Sequence, residues 1–240
     1  MRLFSTKRSQ TSSLMLPILS DIPPIRAVLF DLDGTLIDSE SLTDRAISDL
    51  LRVRSIAVAD LDLSQFHGVS WRGIGKKLCA LFPSLGEAAS VADTLADRCA
   101  SLAHTDPAPL VPGAAEAFRA ASAHFPTAIV TGSNADAVAQ FLRRTDLHSA
   151  CALYVSNEQY VDSKPHPASY RLAAERLALP PASCLVFEDS LPGLRAARAA
   201  TMPAIAVAHS APTPPSDLAL GCISTYSDLP NDFFSSLGSR

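Results

Sequence analysis

The chain has 240 residues, 48% of them apolar and 18% charged, with a formal net charge of −4. That composition supports a packed core and excludes wholesale disorder, and its mildly acidic balance gives no general attraction to nucleic acid or an anionic membrane. The five cysteines are scattered, odd in number and free of any C-x-x-C pair, which argues against a disulfide framework or a zinc site.

Taken in chain order, the first twenty residues, MRLFSTKRSQTSSLMLPILS, carry Arg2, Lys7 and Arg8, many hydroxyls and no acid. Organelle transit peptides and disordered tails share such a composition. Two locations therefore stand: the cytoplasm, or an organelle stroma or matrix with residues 1–24 as a leader. The apolar run at 14–19 is too short to span a bilayer and is broken by Pro17, so no membrane partner is expected. Ala27–Phe30, AVLF, reads as a buried strand, and similar short apolar runs recur at 128–130, 153–155, 185–187 and 204–207. Helical segments are expected between most of them, at 113–124, 136–144, 168–177 and 194–200. Strand and helix alternating at this rhythm give an α/β class, a Rossmann-like core with a parallel sheet. The interval 41–109 breaks the rhythm: it holds no convincing strand, and its helical patterning falls at 42–53, 74–81 and 87–102. It reads as a small all-helical domain inserted after the first strand. The expected organisation is a tail at 1–24, a core of 25–40 and 110–240, and the insertion at 41–109.

The chemistry-bearing residues cluster at strand ends. Asp31 and Asp33 follow the first strand, one residue apart, and alternation puts both on one face. Two neighbouring carboxylates repel unless a cation neutralises them or one keeps a proton. A hard ion such as Mg²⁺ binds through one or two carboxylates together with substrate phosphate. Alone, D-x-D is equally a turn whose acids cap backbone amides. Three further strand ends tip the balance. The second candidate strand runs into Thr131-Gly132-Ser133-Asn134, a small-residue turn before a helix, where free amides attract phosphate. Lys164 stands in DSKPHP before another helix, and the fourth strand ends in the acid pair Glu188-Asp189. Each is ordinary by itself; four in order at one edge of one sheet are not. Ligands of such sheets bind at that edge.

FDLDGT at 30–35, TGS at 131–133, KP at 164–165 and EDS-x-x-G at 188–193 resemble the four motifs of the haloacid dehalogenase-like hydrolase superfamily. The likeness runs from about residue 27 to 229 and includes a helical cap at the same insertion point. The DSE at 38–40 and the PG at 112–113 resemble the branch of phosphoglycolate phosphatases, sugar-phosphate phosphatases and β-phosphoglucomutase. The resemblance implies Asp31 as a nucleophile that becomes an aspartyl-phosphate, and Asp33 as general acid and then base, its backbone carbonyl also facing the metal. It implies Thr131, Gly132, Ser133 and Lys164 as holders of the phosphoryl group, and a Mg²⁺ site of Asp31, Asp33, Glu188 and Asp189. The cap would set specificity, with His67, Gly68 and Arg72 as candidate contacts.

Asp33 separates the chemistries of the superfamily, because the dehalogenase branch lacks an aspartate there. The resemblance therefore implies a Mg²⁺-dependent phosphatase acting on a small phosphorylated metabolite, as a monomer or homodimer. A β-phosphoglucomutase-like sugar-phosphate mutase is the alternative, and a non-catalytic binding protein on the same fold is a third. The mutases carry a histidine shortly after the first motif, where this chain has Thr43, and a lysine before the cap glycine, where it has His67. Both departures count against the mutase. Two others stand in loops: Ser163 before Lys164, and Thr201 after the fourth motif, where glycine is common in the family.

Overall fold

The computed structural model describes residues 22–58, 61–67, 69–210 and 217–238. The proposed leader therefore lies almost wholly outside the described residues. The chain divides into two compact units, Ile37–Leu110 and the remainder on either side of it. In chain order, strand β1 (Ala27–Phe30) leads into the insertion, which holds α1 (Glu40–Val53), α2 (Trp71–Leu81) and α3 (Ala88–Thr105). The larger unit resumes with α4 (Ala114–Ser122), β2 (Thr127–Val130), α5 (Ala135–Thr145), β3 (Cys151–Val155) and α6 (Ala168–Arg176). It ends with β4 (Cys184–Glu188), α7 (Leu191–Ala199), β5 (Ala204–Val207), β6 (Gly221–Ile223) and α8 (Phe233–Gly238).

The six strands form one parallel sheet in the order β3-β2-β1-β4-β5-β6. The five longer strands announce themselves as apolar runs. Strand β6 does not, because three residues, Gly-Cys-Ile, are too few to carry a pattern. Side chains alternate between the two faces. On one face Ala27 and Leu29 of β1, Ala128 and Val130 of β2, and Cys184 and Val186 of β4 pack with Tyr170 and Ala173 of α6 and with Leu194 and Ala197 of α7. On the other, Phe30 stacks on Phe187 with ring centroids 5.0 Å apart, and Phe118, Tyr226 and Phe233 extend the cluster. Such aromatic pairs add about 1 kcal/mol each beyond burial. The order reverses at β1: the chain leaves it toward β2 on one side and returns to β4 on the other. A crevice at the carboxyl ends of β1 and β4 follows from that reversal.

The inserted unit has its own core of Leu42, Ile47, Leu51, Phe66, Ile74, Leu78 and Leu95. In α1 the buried residues fall at 42, 43, 46, 47, 50 and 51, the spacing of one helical face. Outside that face Asp49 pairs with Arg98, and Arg45 with Asp106 at 2.5 Å. Glycine at 75 lets α2 meet α3, since a Cβ there would stand 2.3 Å from the Ala88 carbonyl oxygen.

Candidate active site

Alternation explains the first contact of the site. Asp31 continues the face of Ala27 and Leu29, and Glu188 continues that of Cys184 and Val186. Both acids therefore turn toward the side of the sheet covered by α6, whose approach loop carries Lys164. The Lys164 ammonium lies 2.6 Å from Asp31 Oδ1 and 2.6 Å from Glu188 Oε1, and 3.3 Å from the Val130 carbonyl oxygen. Beneath it is the ring of Tyr170, with the ammonium 4.9 Å from the centroid. The Tyr170 hydroxyl donates to the same Glu188 oxygen at 3.3 Å.

Glu188 is fully engaged. Its second oxygen accepts from the Ser190 amide at 2.7 Å and the Ser190 hydroxyl at 3.0 Å, while that hydroxyl oxygen caps α7 by accepting from the Gly193 amide. Gly193 permits the packing, because a Cβ there would fall 1.7 Å from Glu188 Oε1. Glu188, which the resemblance places at the metal site, here has both oxygens in contact with protein donors. It is a buried brace for Lys164, since alternation directs it inward while Asp189, one residue on, turns to the crevice.

Asp189 accepts from Thr35 Oγ1 at 3.0 Å. The intervening loop needs Gly34 twice over: its φ is +80°, and a Cβ would stand 2.1 Å from Asp189 Oδ2. Asp33 is held from the other side. The Ser133 hydroxyl donates to its Oδ2 at 2.5 Å, and Thr131 Oγ1 lies 3.4 Å from the same oxygen. Thr131 in turn accepts from the Ser133 amide at 2.9 Å, and its carbonyl accepts from the Tyr160 hydroxyl at 3.0 Å. Gly132 is exposed, and its amide has no hydrogen bond among the described residues. That amide is an open backbone donor.

Electrostatics follow from the count of charges. One ammonium faces three closely packed acids, Asp31, Glu188 and Asp189. Burial pushes the Asp31 carboxyl up to about 8, against the pull of Lys164 and with help from Glu188 and Asp33. Burial and the neighbouring Glu188 and Asp31 likewise hold Asp189 well above the carboxylate range. Lys164 is held in its charged form by Asp31 and Glu188, which outweigh its own burial. Surplus negative charge of this kind is relieved by protons or by a cation. Among the described residues no three His, Cys, Asp or Glu side chains form a metal cage. The acids gathered here offer oxygen donors alone, the ligand type that suits a hard divalent ion completed by substrate.

The core residues singled out in the sequence thus gather at one sheet edge within the larger unit. His67 and Arg72 belong to the inserted unit. There His67 Nε2 lies 3.0 Å from Asp44 Oδ1 on α1, a bond that ties the segment before α2 to α1. Arg72 is exposed at the start of α2, Thr43 is buried in α1, and Gly68 lies outside the described residues. Sequence reasoning missed Tyr170 and Tyr160, and it gave Ser190, within the EDS motif, no role of its own. Tyr170 sits two residues into α6, where a buried aromatic reads as core; only its hydroxyl betrays the site.

Comparison with known proteins agrees with this geometry. Residues 25–201 match the family model described as haloacid dehalogenase-like hydrolase. Hexitol phosphatase B of Escherichia coli (strain K12) is 31% identical over 76% of this chain and 83% of its own length. A phosphoglycolate phosphatase of Xylella fastidiosa is 30% identical over 75% of this chain and 79% of its own. Among solved structures, a HAD family hydrolase from Deinococcus radiodurans R1 with bound phosphate and sodium superposes with a TM-score of 0.72. It is 26% identical, over 90% of this chain and 97% of its own. A putative β-phosphoglucomutase from Thermotoga maritima gives 0.69 at 26% identity, over 89% and 98%. With its four motifs assembled at the switch point of the sheet, the chain belongs to the haloacid dehalogenase-like hydrolase family.

Proposed function

We propose that the protein is a Mg²⁺-dependent phosphatase that hydrolyses a small phosphorylated metabolite through an aspartyl-phosphate at Asp31. One observation carries this reading: the two acids of D-x-D have separate partners, Lys164 on Asp31 and Ser133 on Asp33. Groups so divided suit two tasks. In the first step Asp31 attacks phosphorus and the ester oxygen leaves, taking a proton from Asp33. In the second, Asp33, now a carboxylate, takes a proton from water as that water attacks phosphorus and releases Asp31. Lys164 offsets negative charge where the phosphoryl group and Asp31 meet. The Gly132 amide, open among the described residues, would donate to its oxygens. Asp31, Asp189 and the Asp33 carbonyl would hold Mg²⁺, which when bound supplies positive charge to the phosphoryl oxygens and favours ionised Asp31.

The similar hexitol and phosphoglycolate phosphatases, and a fructose-1-phosphate phosphatase of Escherichia coli 28% identical over 75% of this chain, support sugar phosphates, hexitol phosphates and phosphoglycolate as the substrate range. A screen of phosphorylated metabolites for phosphate release with Mg²⁺ tests this, with Asp31→Asn and EDTA as controls. Release that survives both would refute the mechanism. Conversion of β-glucose 1-phosphate to glucose 6-phosphate without free phosphate would establish the mutase instead.

A further inference from the structure

Ser133 falls in the small-residue turn that the resemblance assigns to the phosphoryl group. The structure gives its donors other work. Its amide is spent on Thr131 Oγ1 at 2.9 Å, and its hydroxyl on Asp33 Oδ2 at 2.5 Å. A serine hydroxyl has one proton to donate, so it cannot serve Asp33 and a phosphoryl oxygen together. Its aim is also preset. The carbonyl of Ser133 accepts from the Asn157 amide at 3.0 Å, and α5 starts beside it, with Asn134 accepting from the Ala137 amide at 3.0 Å. The turn is thus pinned on both sides of Ser133. Asp33 Oδ1 has no hydrogen bond among the described residues and is left for a reacting oxygen.

We propose that Ser133 is the positioning residue of the general acid: its hydroxyl fixes the rotamer of Asp33 so that Oδ1 meets the leaving oxygen, and it does not bind the phosphoryl group. The proposal rests on the phosphatase reading. A misaimed acid loses much of its effect even when displaced by an ångström.

The leaving group separates this role from phosphate binding. An alkyl phosphate expels a poor leaving group that needs the proton of Asp33; 4-nitrophenyl phosphate expels a stable anion that does not. The constant kcat/KM covers the steps up to departure of the alcohol, so it isolates the acid step. Using 4-nitrophenyl phosphate and the alkyl monoester hydrolysed fastest in the screen, Ser133→Ala should lower kcat/KM for the alkyl ester about ten-fold more than for the aryl ester. Asp33→Asn should shift the ratio in the same direction and further. Ser133→Thr, which keeps the hydroxyl, should restore most of it. Equal losses on both esters, with KM rising, would make Ser133 a phosphate ligand and overturn the proposal, as would an unchanged ratio. Should Ser133→Ala fail to fold, Ser133→Cys carries the same comparison, since a thiol is a weak donor. Wild-type protein that cleaves only the aryl ester would overturn the acid role of Asp33 and this inference together. Wild-type protein that cleaves neither refutes the phosphatase reading itself, before any variant is made.

Discussion

Among the described residues, Lys164 is the one cation set between the site's acids, 2.6 Å from both Asp31 and Glu188. Lys164→Met would remove the charge that opposes their repulsion and that, in the proposed mechanism, faces the phosphoryl group. Phosphate release should fall about 100-fold or more, measured as kcat on 4-nitrophenyl phosphate. Gly34 is equally constrained, by a φ of +80° and by the carboxylate 2.1 Å from where a Cβ would stand. Gly34→Ala should cost about 1–2 kcal/mol from backbone strain alone, read from urea unfolding, and displace Asp189 as well. The acid pairs, the lysine and the TGS turn could be read from the sequence because their residue types have few other uses at strand ends. Tyr170 could not, because an aromatic in the first turns of a helix is ordinary core until its hydroxyl is seen on Glu188.

Four of the helical segments share an unusual ending. A left-handed residue other than glycine follows the C-cap in three of them, at Ser55, Ala178 and Thr201, and is the C-cap itself in the fourth, at Asp146. After α7 the Met202 amide donates back to the Ala197 carbonyl, and after α6 the Leu179 amide to that of Ala174, both at 2.9–3.0 Å. These bonds require the intervening residue to adopt φ of +62° at Thr201 and +54° at Ala178. The glycine that the resemblance would place at Thr201 meets that geometry without strain. Thr201→Gly and Ala178→Gly should each raise stability by about 1 kcal/mol in urea unfolding, because glycine has no Cβ to strain. The long helices of the insertion were legible to within a few residues from their apolar faces. Strand β6 and α8 were not: three and six residues hold too little periodicity, and their place is set by the sheet edge and the aromatic cluster they join.

At the scale of the whole molecule the surplus charge of the site becomes a matter of stability. In the folded protein the Asp31 carboxyl is raised from its ordinary 3.8 to about 8. Between those values the folded state keeps a proton that the unfolded chain has lost, so stability falls as pH rises through the window. In EDTA, the melting temperature should decline between pH 5 and pH 8. Mg²⁺, which favours the ionised acid, should raise it more at pH 8 than at pH 5. A melting temperature indifferent to both variables would mean that these acids are not the shared seat of a cation.

The sequence by itself determined the α/β class, the place of the helical insertion and the identity of the four motifs. Those depend on local signals: runs of apolar residues, their period, and polar residues confined to strand ends. Tertiary structure alone decided which groups of the motifs meet. Only the parallel register of β1 with β4 sets Asp31 and Glu188 side by side under Lys164, leaving Asp189 to face the crevice. Only the approach of the loop after β2 brings Ser133, 100 residues away in the chain, onto Asp33. Spacing along a chain states which groups can reach an edge; the direction each side chain takes depends on the strands and helices packed against it.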